Sequence, residues 1–167
     1  MAITLQDRQR KVRIETARLR SLGRRILTEL RRPTADCSVI LVDDAAIAEL
    51  NRAYRGIDGP TDVLAFPMGE GRFGALSPDL LGDVVISAET AARQAGPHGV
   101  QPELALLLIH GILHLLGYDH GGPVERRAMW RKQRALLAAL GLPPVGLKGP
   151  AGPGSRDGTG RGRRRTS

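Results

Sequence analysis

The chain has 167 residues, 41% of them hydrophobic, and sets 25 Lys and Arg against 17 Asp and Glu for a net charge of +8. One domain with its own core is the natural expectation at this length, and a single cysteine excludes an internal disulfide while permitting a reducing compartment. Residues 1–10 hold no signal-peptide core and no apolar run reaches the roughly 20 residues of a bilayer span, so the expectation is a cytoplasmic protein with no membrane partner.

The basic excess points to an anionic partner, with nucleic acid first. It is unevenly placed. Beyond Leu140, Lys148, Arg156, Arg161, Arg163, Arg164 and Arg165 face only Asp157. Residues 143–167 are rich in Gly, Pro, Arg and Ser, from which no core can be built, and are expected to form a disordered basic tail. Residues 1–142 are expected to form the folded domain.

In chain order, residues 2–5 read as a short edge strand. From about Val12 a helix is expected, with Leu19, Leu22, Ile26 and Leu30 on one apolar face and Pro33 as its stop. Arg18, Arg20, Arg24, Arg25, Arg31 and Arg32 lie mostly off that face. They form either a solvated helix surface or an electrostatic track for an RNA backbone. Residues 37–42 read as a strand buried on both faces, with Cys37 in the core. Asp43 and Asp44 then cap a helix that runs to about Arg55 and buries Ile47, Leu50 and Tyr54. A loop to Pro60 and a strand at 62–66 follow. The glycine-rich stretch 68–80 reads as a loop or lid, and 83–86 as a strand. Ser87 caps a helix over 88–95 that Gly96 and Pro97 close. His98 reads as an exposed loop residue.

A helix from near Pro102, with Glu103 in its first turn, is apolar nearly all round from Leu104 to Leu116 and therefore buried. It carries His110 and His114, four residues apart and so on one face, one turn apart. Gly117 ends it in a left-handed turn, which lets His120 fold back toward the first two imidazoles. Three of the chain's four histidines thus fall within eleven residues. Buried imidazoles need partners, and three neutral ones converging leave the fourth position of a catalytic-type zinc site open. Asp119 either orients a ligand imidazole or holds this turn. Pro123 opens a last helix to about Leu140, with Met129, Gln133, Leu136, Leu137 and Leu140 inward and Trp130 in a packing role. The element order is that of an α+β fold, one small mixed sheet against about five helices.

The string HGILHLLGYDH at 110–120 resembles the H-G-x-L-H-L-x-G-Y-D-H signature of the YbeY family. Leu50 and Asn51 with Tyr54, Arg55 and Gly56, then PTDVLAFP at 60–67, resemble that family's L-N-x-x-Y-R-G and P-T-[DN]-V-L-[SA]-F-P segments. LGDVVIS at 81–87 resembles its L-G-D-I-x-I-S strand. The resemblance covers about residues 1–142 and not the tail. It implies a single-strand-specific, metal-dependent endoribonuclease acting at the 3′ end of small-subunit ribosomal RNA and in ribosome quality control. Its partners would be ribosomal RNA and the small subunit, with no nucleotide cofactor. One Zn2+ per chain is expected on His110, His114 and His120, and Arg55 and His114 are the catalytic candidates. A guanidinium can grip a phosphate through two parallel hydrogen bonds. Without the resemblance, Arg55 would read as a complement to the helix dipole or a carboxylate partner. The nucleophile is either a hydroxide on the metal or a ribose 2′-OH.

Two other functions compete. Zinc peptidases carry H-E-x-x-H, with the glutamate as general base; this chain has Gly111 there. A non-catalytic RNA-binding ribosome-assembly factor with a structural metal would normally close its zinc with four ligands, often cysteines, and Cys37 is far away in sequence.

Overall fold

The computed structural model describes residues 3–68, 79–118 and 121–144. The expectations that concern Ala2, the stretch 69–78, Asp119, His120 and the tail beyond Pro144 lie outside the described residues.

Nine elements follow the expected order. They are β1 (Ile3–Asp7), α1 (Thr16–Glu29), β2 (Asp36–Val42), α2 (Asp44–Arg55), β3 (Val63–Pro67), β4 (Leu80–Ser87), α3 (Ala88–Gln94), α4 (Val100–Leu115) and α5 (Pro123–Ala139). The fold is α+β. The strands form one mixed sheet in the order β1-β2-β4-β3. β2 pairs in parallel with β1 and with β4, and β3 runs antiparallel to β4 at the edge, with Val63 opposite Ile86 and Pro67 opposite Gly82. The two central strands are the apolar, β-branched ones, as burial on both faces demands.

Successive residues of a strand point to opposite faces, and the two faces are covered unequally. Val84 and Ile86 belong to the main core with Leu19 and Ile26 of α1, Leu108 and Ile112 of α4, and Met129 and Leu136 of α5. Val85 lies in a smaller cluster with Val42, Leu64 and Ile47 of α2, flanked by Leu50 and Phe66. Helices α1, α4 and α5, with Ala91 of α3, thus back one face, and α2 supplies the helical cover of the other.

Four expectations need correction. First, α1 begins at Thr16, not near Val12. The buried Gln9 side chain occupies the backbone before it: its amide donates to the Val12 carbonyl at 2.8 Å, and its Oε1 accepts from the N–H groups of Lys11 and Val12 at 3.0 and 2.9 Å. Second, α1 stops at Glu29, ahead of Pro33. Arg31 takes a left-handed conformation (φ 62°), and the N–H of Arg32 closes back on the Leu27 carbonyl at 2.8 Å, a helix stop that usually uses glycine. Third, Tyr54 is not buried but 69% exposed. At the end of α2 its ring meets Phe66 of the edge strand edge-on, with centroids 5.3 Å apart, and otherwise faces solvent. Fourth, Asp43 caps α2 as expected, its carboxylate accepting from the Ala46 N–H at 3.0 Å, but Asp44 does more. It accepts from the Ser87 and Thr90 hydroxyls at 2.6 and 2.7 Å and pairs with Arg93 at 2.7 Å, binding α2 to α3. Burial would raise its pKa, but these hydroxyls and the guanidinium outweigh it and hold the carboxyl below its ordinary value. No helix among the described residues is long and apolar enough to cross a membrane.

Candidate metal centre

α4 is seated on the sheet by an absence of side chain. A Cβ on Gly111 would lie 2.6 Å from a methyl of Val84 and 3.4 Å from Val63, so the helix rests directly on β4 and β3. This settles the missing glutamate physically. The position after His110 faces the sheet, and a carboxylate there would enter the core rather than a reaction site.

His110 and His114 stand one turn apart on α4 and are both half-buried. Their ring centroids are 4.8 Å apart with the planes at 64°. The His110 Nδ1 meets the Gln133 Oε1 of α5 at 2.7 Å. With the amide oxygen as acceptor, Nδ1 of a neutral ring would donate, which would leave Nε2 as the nitrogen for a metal. Two adjacent imidazoles, one of them hydrogen-bonded from behind, are donors of a kind that suits a metal ion. The sequence places Gln133 only on the inward face of α5. Its signal in the sequence was a lone amide in an otherwise apolar stripe.

The chain leaves α4 where expected. Gly117 takes φ 101°, and the Tyr118 N–H returns to the Leu113 carbonyl at 3.0 Å. His120, the expected third ligand, lies outside the described residues, and among these no three His, Cys, Asp or Glu side chains gather into a metal-holding group. Cys37 supplies no ligand here. It is buried in β2, and burial, reinforced by Asp83, pushes its thiol up to about 12. His98 is exposed, as expected.

Arg55 is the last residue of α2 and is exposed; among the described residues it forms no hydrogen bond or ion pair. It comes from the opposite face of the sheet to His110 and His114, yet to the same strand end. Tyr54 beside it touches Phe66, and Leu115 beside His114 comes within 3.1 Å of where a Cβ on Gly82, the partner of Pro67, would stand. The C-terminal ends of α2 and α4 thus flank one end of β3. The two histidines are brought into contact, and Arg55 is brought to their end of the edge strand without touching them.

At the other end of α4 sits a polar cluster that sequence reasoning missed. The Gln94 amide donates to Glu103 at 2.9 Å and to Asp62 at 3.3 Å, joining α3, α4 and the approach to β3. Burial raises the Glu103 pKa and the Asp62 charge adds to it, while the Gln94 hydrogen bond opposes them.

A family model described as Endoribonuclease YbeY matches residues 4–141. A relative of that name from Geobacter metallireducens is 47% identical over 144 residues, spanning 84% of this chain and 96% of the relative. Another from Thermobifida fusca is 52% identical over 128 residues, spanning 72% and 83%. A solution structure of a protein from Thermotoga maritima aligns with a TM-score of 0.56 at 27% identity, covering 97% of this chain and 99% of that one. With a family model spanning most of its length, and with relatives this similar, the chain belongs to the YbeY endoribonuclease family.

Proposed function

We propose that this chain is a zinc-dependent endoribonuclease that cuts single-stranded ribosomal RNA in maturation of the small ribosomal subunit, working in the cytoplasm. The observation that carries the reading is the pair of imidazoles on α4 with Gln133 behind His110. One zinc ion would be held by His110, His114 and His120. When bound, it supplies Lewis acidity to a phosphate ester.

The chain's own residues supply the rest. The Gln133 oxygen holds the proton of His110 on Nδ1 and fixes the plane of the ring. His114, on a buried helix turn, is positioned without a mobile backbone. Arg55 grips a non-bridging phosphate oxygen and stabilises the charge that develops there as the phosphodiester breaks. The domain is residues 1–142, and the basic residues beyond 143 add sequence-independent attraction to RNA.

The test is metal content by mass spectrometry, paired with cleavage of a single-stranded RNA. About one zinc per wild-type chain is expected under simple one-site binding. It should be lost in His114→Ala, and cleavage should vanish on chelation while RNA binding persists. Wild type that binds RNA and zinc but never cuts would leave a ribosome-assembly factor as the better account.

A further inference from the structure

Low aromatic content argues against a base-stacking platform in this chain, yet the structure brings two of its few aromatic rings together at the surface. The sequence has two Phe, two Tyr and one Trp, and Tyr54 and Phe66 are placed together at the surface. Tyr54 is 69% exposed, the highest value among the exposed large hydrophobic side chains of the described residues. Its ring is not loose. Phe66 braces it from the side at 67°, which leaves a face of the phenol ring free for a ligand. Gly56 closes α2 in a left-handed turn, and the buried Asn51 amide donates to the Gly59 carbonyl at 2.9 Å, so the loop after the helix is tied down. Ile57 in that loop is 51% exposed and adds a second apolar surface. Arg55, a cation with no partner among the described residues, sits between the two in sequence.

An exposed, braced aromatic ring next to a guanidinium with no partner among the described residues matches the chemistry of one ligand class. Single-stranded nucleic acid offers a π-face and a phosphate at neighbouring positions, and proteins bind it by stacking plus charge. We infer that Tyr54 is a base-stacking residue for the RNA substrate, holding a nucleobase while Arg55 holds an adjacent phosphate. The inference rests on the endoribonuclease reading above and adds a specificity-determining position to it. Tyr54 and His114 flank the same end of β3 from opposite faces, so the RNA strand crosses the edge of the sheet there. The stacked base accordingly belongs to a nucleotide next to the phosphate that Arg55 holds.

The experiment is fluorescence anisotropy with full-length protein and a labelled single-stranded RNA, for wild type, Tyr54→Ala, Tyr54→Leu and Tyr54→Phe. Each is repeated on RNAs with one abasic position moved along the strand. Stacking predicts that Tyr54→Ala and Tyr54→Leu each weaken binding about 10- to 100-fold, the range for loss of one stacked base, while Tyr54→Phe binds as wild type does. The leucine variant keeps apolar bulk against Phe66, so its loss reads the π-face and not the fold. One abasic position flanking the cut should cost wild type the same factor and cost Tyr54→Leu nothing further. Wild-type affinity in Tyr54→Leu, or abasic effects that ignore the variant, would overturn the inference. So would a change in sedimentation with RNA affinity intact, which would assign the ring to self-association. Wild type that binds but does not cleave would sink the catalytic reading and leave this test intact.

Discussion

The two faces of the sheet carry the residues of the proposed site in opposite manners. On one face α4 is buried almost throughout and locked between the sheet, α1 and α5, and it presents His110 and His114 from a backbone with nowhere to go. On the other, α2 is amphipathic, buries only Ile47 and Asn51 fully, and extends Tyr54 and Arg55 into solvent. Metal ligation tolerates little positional error, and RNA binding needs accessible charge and ring surface. The difference teaches that, under the proposed function, the stiff face would serve the metal and the thin face the polymer.

The strongest way to break this contrast is at Gly111. Gly111→Glu writes H-E-x-x-H into the chain, but the new side chain must enter the space of Val84 and Val63. The expected cost is about 4 kcal/mol or more, from overpacking and a buried charge, with no gain of peptidase activity; thermal unfolding and a peptide-cleavage assay check both. A variant as stable as wild type would mean that α4 is not pressed on the sheet.

Gln133→Leu sharpens the contrast from within the stiff face. It keeps the bulk of α5 but removes the acceptor from His110 Nδ1. Zinc affinity should fall about 10- to 100-fold, the usual effect of removing such a partner, with the melting temperature little changed. Competition with a chromogenic chelator reads it.

Asp44→Asn probes how the thin face is fastened. The carboxylate takes two hydroxyl donors and the Arg93 guanidinium, so its loss should cost about 1–3 kcal/mol. The pH sign follows from the lowered pKa. The contribution is fully present above the unfolded value of 3.8 and is lost as pH falls through the folded value beneath it. Denaturant midpoints of wild type and Asp44→Asn should differ at pH 7 and converge in acid.

The smallest effect has the opposite sign. The pKa of Glu103 is raised, first by burial, so wild-type stability drops as pH rises from its unfolded value of 4.5 through the folded value. Glu103→Gln keeps an acceptor for Gln94 and should be more stable at pH 7 by less than about 1 kcal/mol. A destabilised variant would mean that the charge itself is needed there.

Much of this was legible locally. The four-residue spacing of His110 and His114, the stop at Gly117 and the caps at Asp43 and Ser87 depend on contacts within a turn or two, and each stands as read. The misreadings trace either to a partner distant in sequence or to a local contact that apolar periodicity does not record, such as the left-handed Arg31 that stops α1. Gln9 captures backbone that helical periodicity alone would assign to α1. Tyr54 lies seven residues past Ile47, on the same stripe, yet only Phe66 of a separate strand decides what covers it. That Arg55 and His114 share one strand end follows from β3 lying beside β4, an adjacency no local pattern contains.

That same edge position exposes the protein to a separate hazard. β3 is apolar, VLAFP, and edge strands of this kind can template pairing between molecules. Among the described residues no further strand pairs with its outer edge, and the protection the structure shows lies at the strand's own ends. Pro60 lies just ahead of it and Pro67 is its last residue, and neither can donate a backbone hydrogen bond to an incoming chain. The prolines flanking this strand thus interrupt the row of donors that an incoming chain would pair with, as gatekeeper residues do.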